Sequence, residues 1–219
     1  MRPIIILSFL ALFFIACGAN SGTSNVNADS AQSISLSDTS SFSGLYKRIL
    51  SSTQDIRIPA WIHTDSITGY KQIPVTVEQA KLLFPEDFEL PFGATIYAFA
   101  QQHPDNTTTG IWYSMKSSPP AEEEGPETED ILLVLYTGDS VVTEAHYFAT
   151  SGFGYALVDA QNKIREAFID QMENVNVTTG ITTIANGTFE RTTEERSFGM
   201  GDTAVPASAA YLKEFFNTK

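Results

Sequence analysis

A chain of 219 residues that is 42% hydrophobic and 18% charged carries enough apolar mass to bury the core of one domain. Its net charge of −13 repels phosphate backbones and gives no basic grip on anionic lipid, so no nucleic-acid partner is expected. The single cysteine, Cys17, excludes an intramolecular disulfide and any cysteine-rich metal cluster.

In chain order, Arg2 supplies a short positive start and residues 4–16 are almost wholly apolar. That run is too short to span a bilayer, which takes roughly 20 residues, but it suits the core of an export signal. It ends in Phe14-Ile15-Ala16-Cys17-Gly18: an apolar pair, a small residue, then the cysteine. The pattern resembles the lipobox of bacterial lipoproteins, with Phe14 where leucine is usual. The resemblance implies that the Cys17 thiol attacks a lipid donor, that residues 1–16 are removed, and that several acyl chains hold the mature chain on a membrane. Loss of Arg2 with the signal leaves 12 basic against 26 acidic residues. Gly18 rather than Asp after the cysteine implies outer-membrane placement, with the periplasmic and surface faces left open.

Residues 17–41 are mostly Ser, Asn, Thr, Ala and Asp. They cannot bury enough surface to offset their chain entropy, so they read as a disordered tether. Residues 42–219 read as a single β-rich domain.

Within that domain, Phe42, Leu45, Tyr46, Ile49 and Leu50 fall at helical spacing. Residues 56–63 alternate apolar and polar around Pro59 and predict an edge strand. Thr76 to Gln79 has the form of a capping box, opening a helix that Pro85 stops. Strands are predicted over 94–102, 110–116, 131–137, 141–150 and 153–159. Residues 131–137 are nearly continuously apolar, as in a strand buried on both faces. Residues 163–170 fit either a helix or a strand, and their neighbours favour a strand. Residues 174–185 and 188–195 flank Asn186-Gly187, a strong hairpin signal. Residues 208–217, after Pro206, predict a terminal helix. The expected fold is mainly β: an antiparallel meander with two or three short helices, either an open sheet or a small barrel.

Little in the sequence specifies chemistry. His63, His103 and His146 lie in no metal-binding spacing, so neither a metal nor a cofactor is expected. Alternation puts Glu144 and His146 on one strand face, where an exposed ion pair is the plainer reading than a base and its orienting carboxylate. His63, Asp65 and Ser66 are near in sequence but lack the Gly-x-Ser-x-Gly elbow. Residues 117–130 carry six acidic residues and three prolines, and read as a solvated hairpin loop. Among the many aromatics, Trp112, Tyr97 and Tyr147 are the candidate ligand-binding rings, able to stack on a sugar or peptide.

Asp followed by Ser or Thr and an apolar residue recurs at Ser30, Ser66, Ser140 and Thr203. The pattern resembles the O-glycosylation signature of exported Bacteroidota proteins. The layout is also similar to small lipoproteins of that bacterial group: a signal, a tether, Ile-Pro-Ala-Trp-Ile-His-Thr-Asp at 58–65, a short helix near Pro85, and a meander containing Ile-Leu-Leu-Val-Leu-Tyr at 131–136. The resemblance brings no established activity. The expectation is a cell-envelope lipoprotein whose domain binds a protein, peptide or glycan partner without catalysis. An envelope hydrolase using His146, Glu144 or His63 is one alternative, and an inhibitor or structural envelope protein is another.

Overall fold

The structure, a computed structural model, describes residues 40–119, 125–138, 141–150, 154–171 and 173–217. Three α-helices and eleven strands follow one another among these residues. They are α1 (Phe42–Ser52), β1 (Gln54–Asp55), β2 (Ala60–Ile62), β3 (Ile73–Val75), α2 (Val77–Leu83), β4 (Thr95–Gln102), β5 (Thr108–Ser117), β6 (Thr128–Thr137), β7 (Val141–Thr150), β8 (Gly154–Val158), β9 (Ile164–Asp170), β10 (Asn176–Ala185), β11 (Thr188–Ser197) and α3 (Ala204–Asn217).

Local chemistry accounts for most of these boundaries. The Ser41 hydroxyl caps α1 by accepting from the Gly44 N–H at 3.3 Å. The capping box of α2 forms in full: Gln79 N–H donates to Thr76 Oγ1 at 3.2 Å, and Thr76 N–H donates to Gln79 Oε1 at 3.1 Å. Asn186 and Gly187 both take positive φ, 54° and 76°, as a two-residue hairpin turn of the right twist requires. The ambiguous stretch around residue 163 is strand β9, paired on both sides. The terminal helix starts earlier than its periodicity predicts, with Pro206 inside its first turn.

The mainly β expectation holds, but the strands form two open sheets and close no barrel. The first sheet runs β1-β4-β5-β6-β7, with β3 also on β4; the second runs β11-β10-β9-β8-β2. The edge strand expected at 56–63 is present in shortened form: β2, Ala60–Ile62, lies at the edge of the second sheet. Pro59 has no N–H to give a ladder, and the chain divides there. β1 joins the first sheet, in parallel with β4, and β2 joins the second beside β8.

Alternation then builds a layered core. On the first sheet, Ile111, Tyr113, Met115, Leu132, Val134 and Tyr136 pack under α1 and α2. The opposite face presents Trp112, Ile131, Leu133, Leu135 and Phe148 to Ala156, Val158 and Ile164 of the second sheet. The apolar run of β6 is therefore buried on both sides, as its sequence predicts. α3 lies on the outer face of the second sheet. There Tyr211 meets Thr179 Oγ1 at 2.9 Å, and Phe216 meets Trp61 with ring centroids 4.8 Å apart.

Candidate functional site

The first sheet delivers His146 to the space between the sheets. On β7, Glu144 and His146 both face the second sheet, opposite Leu135 and Leu133 of β6. They do not pair with each other. Glu144 Oε2 accepts the backbone N–H of Phe189 at 2.6 Å, fastening β7 to β11. His146 Nε2 lies 3.4 Å from Oε2 of Glu166, on β9. Its ring is flanked by Phe148 and Phe189 at 4.7 and 5.8 Å.

Glu166 is fully buried, and its other oxygen, Oε1, accepts from Nε of Arg191 on β11. A carboxylate shut away from water is costly unless a charge and hydrogen bonds compensate it. Arg191, whose side chain is about one-third exposed, supplies that compensation. Space for the carboxylate comes from Gly180, which is opposite Glu166 on β10; a Cβ there would fall 2.9 Å from Glu166 Cγ. Among the described residues, neither Glu166 Oε2 nor His146 Nε2 reaches hydrogen-bond geometry with another group. The arrangement is thus an acid held by arginine, with an imidazole at its second oxygen. Glu166 and Arg191 carried no motif; an isolated glycine inside a predicted strand, Gly180, was the one signal of close approach.

The three candidate rings do not converge. Trp112 is fully buried between the sheets, with its indole N–H donated to Gln102 Oε1 at 2.9 Å. Tyr147 is on the opposite face, 5.6 Å from the Phe88 ring, and its phenol is pushed up to about 12 by burial and by Asp130. Tyr97 is half-buried, paired with Ser114 and Pro74. The rings that do reach solvent on the second sheet are Trp61 and Tyr155, at 48% and 39% exposure.

The remaining candidates separate as well. Ser66 Oγ donates to the His63 carbonyl at 2.8 Å and accepts its N–H at 2.9 Å, so the hydroxyl closes a turn. The His63 ring instead sits 6.3 Å from Tyr155. Thr203 is exposed just before α3. Cys17, Ser30 and Ser140 lie outside the described residues. The acidic stretch is shorter as a loop than its composition suggests, because β5 and β6 extend into it. Glu129 accepts from Ser114 Oγ at 2.5 Å, and Asp130 is held above its usual range, by burial first and then by Glu129, against the Thr150 hydroxyl.

An open groove of about 840 Å³ lies beside α2. Val77, Ala80, Leu82, Phe84, Phe88 and Leu90 give it an apolar lining, with Lys81 and Glu86 as its ionisable groups. Beneath α2 a buried chain of hydrogen bonds ties the helix end to the sheet: the Tyr113 hydroxyl meets the Tyr136 hydroxyl at 2.8 Å, and Tyr136 donates to the Leu83 carbonyl at 2.9 Å. Burial pushes both phenols above their ordinary range. No group of three or more metal-ligating side chains occurs among the described residues.

The chain matches no protein-family model, no curated protein and no solved structure.

Proposed function

We propose that this chain is a cell-envelope lipoprotein, anchored through acylated Cys17, whose two-sheet domain captures a partner without chemistry. The observation that carries the reading is the order of features along the chain. An apolar signal ends at the one cysteine, a polar stretch follows, and α1 opens the domain at Phe42. A thiol at that place is what acylation needs, and the polar stretch is the spacer an anchored domain needs.

The groove beside α2 supports the binding half of the reading. It is broad, its apolar side chains share the lining with Lys81 and Glu86, and it exposes Val77 and Leu82, while His146 and Glu166 belong to the inter-sheet space and do not line it. Outer-membrane placement is part of the same proposal and follows from Gly18 after the cysteine.

Labelling cells with a radioactive fatty acid tests the anchor. The full chain takes up label and sediments with membranes, and Cys17→Ser loses both; label retained by that variant refutes the anchor. A photo-crosslinking residue at Leu82 tests the groove. It yields a discrete adduct in the envelope that the same probe at exposed Thr203 does not give. Equal adducts from both positions refute the groove as the binding surface.

A further inference from the structure

We infer that the free edge of β11 is a self-complementary docking strand, and that a second copy of this chain pairs with it antiparallel about Thr193. The edge is long and regular. β11 pairs with β10 through ten successive residues with no shift in register. Apart from half-buried Phe189, every residue from Thr188 to Ser197 is exposed. Neither proline nor glycine interrupts it. Among the described residues no strand pairs with its other side.

The hairpin fixes which backbone groups face outward. Thr188 closes the two-residue turn against Ala185, and Phe198 N–H donates to the Val175 carbonyl at 2.9 Å in the same register. Even-numbered residues therefore bond to β10, and odd-numbered ones point away. Phe189 confirms the parity, because its N–H turns from β10 to Glu144. The groups left for a partner belong to Arg191, Thr193, Glu195 and Ser197.

Charged residues on an edge usually prevent pairing, since most registers oppose like charges. Here one register does the reverse. With the two-fold axis on Thr193, Glu190 faces the second copy's Arg196, and Arg191, which also holds Glu166 of its own chain, faces the second copy's Glu195, each occurring twice by symmetry. No like charges are directly opposed. Moving the axis to Thr192 sets Glu190 against Glu194, and moving it to Glu194 sets that residue against itself. The axis on Thr193 also pairs outward-facing residues with outward-facing residues, as an antiparallel ladder demands.

Within one copy, Glu190 and Arg196 lie opposite Thr183 and Val177 on β10, so exchanging their charges leaves the β10 pairing intact. Arg196 does contact Glu194 at 2.7 Å and the Tyr211 ring at 4.4 Å, which makes a folding control necessary. Sedimentation of the full chain in density-matched detergent is the test. The wild type is expected to reach a dimer's mass with rising concentration. Arg196→Glu weakens association at least ten-fold, and adding Glu190→Arg restores it, with the thermal melts unchanged. Thr193→Pro provides an independent arm. It removes an N–H that β10 does not use, so the fold stays intact while the dimer is lost. A wild type that stays monomeric at millimolar concentration overturns the proposal. So does association that survives Thr193→Pro, or an exchanged pair that fails to rescue while folded.

Discussion

The carboxyl group of Glu166 occupies the space that a side chain at residue 180 would fill. The two residues sit directly across the β9–β10 ladder, and glycine is what lets the acid turn inward toward Arg191. A strand glycine ordinarily weakens a sheet, because it orders more chain and packs nothing. At this position the missing Cβ is what makes a buried ion pair possible.

Gly180→Ala is therefore expected to cost about 1–3 kcal/mol, the usual range for forcing atoms into a filled interior. The clash falls on Glu166, which is held by its ion pair and has no solvent to retreat into. Gly69 is the matched control, because an added Cβ there meets nothing within 4 Å. Gly69→Ala should change stability by less than about 0.5 kcal/mol. Urea denaturation midpoints of the two variants give the comparison, and equal midpoints would show that Gly180 is not a filled site.

The pair itself should be strongly coupled. Arg191→Met leaves a buried carboxylate without its cation, which costs about 3 kcal/mol. Glu166→Gln removes the charge and so relieves the need for arginine. The double variant should then lose much less stability than the sum of the two single losses. A double-mutant cycle measures this, and strict additivity would mean that the two side chains do not depend on each other.

The two tryptophans should respond oppositely to solvent. Trp61→Phe leaves only Trp112, sealed between the sheets, so emission should shift to the blue and acrylamide quenching should fall several-fold. Trp112→Phe leaves the half-exposed Trp61, which should quench freely. Strong quenching of Trp112 in folded protein would restore it as a surface ring available to a ligand.

Much of this fold was legible because its signals are local. Thr76 and Gln79 satisfy each other's backbone within one turn, and Asn186-Gly187 sets φ without help from the rest of the chain. The division into two sheets was not legible, since it depends on which strand β2 and β8 find, and no local feature records that pairing. β3 is only three residues long and rests entirely on β4. Trp112 shows the limit of alternation. A strand covered on both faces buries every side chain, so the period-two pattern cannot tell a core ring from a binding one. The Glu166 cluster stayed hidden for a related reason. Ile164, Glu166 and Phe168 look like a half-polar face, and only Arg191, distant in sequence, makes a buried acid tolerable.

The β4–β5 turn should give the domain an acid-sensitive element. Burial alone would raise the Asp105 carboxyl, but the N–H and hydroxyl groups of Thr107 and Thr108 outweigh it and hold the acid at about 2. Asp105 Oδ1 accepts both N–H groups at 2.7 Å and the Thr107 hydroxyl at 2.8 Å, while Oδ2 takes the Thr108 hydroxyl at 2.9 Å. Four donors on one carboxylate favour its charged form. The unfolded chain binds the proton more readily than the native one, so this contribution is whole above the ordinary value of 3.8. It is lost as pH falls from there toward 2. Asp105→Asn keeps one acceptor oxygen and gives up the charge. Because the site is partly open to solvent, the cost near neutral pH should be only about 1 kcal/mol. That difference should shrink between pH 4 and 2 and vanish below it, as the wild-type carboxyl also becomes neutral. Urea midpoints for both proteins across that range test the sign, and a gap that widens on acidification would mean the charged form is not the one the turn holds.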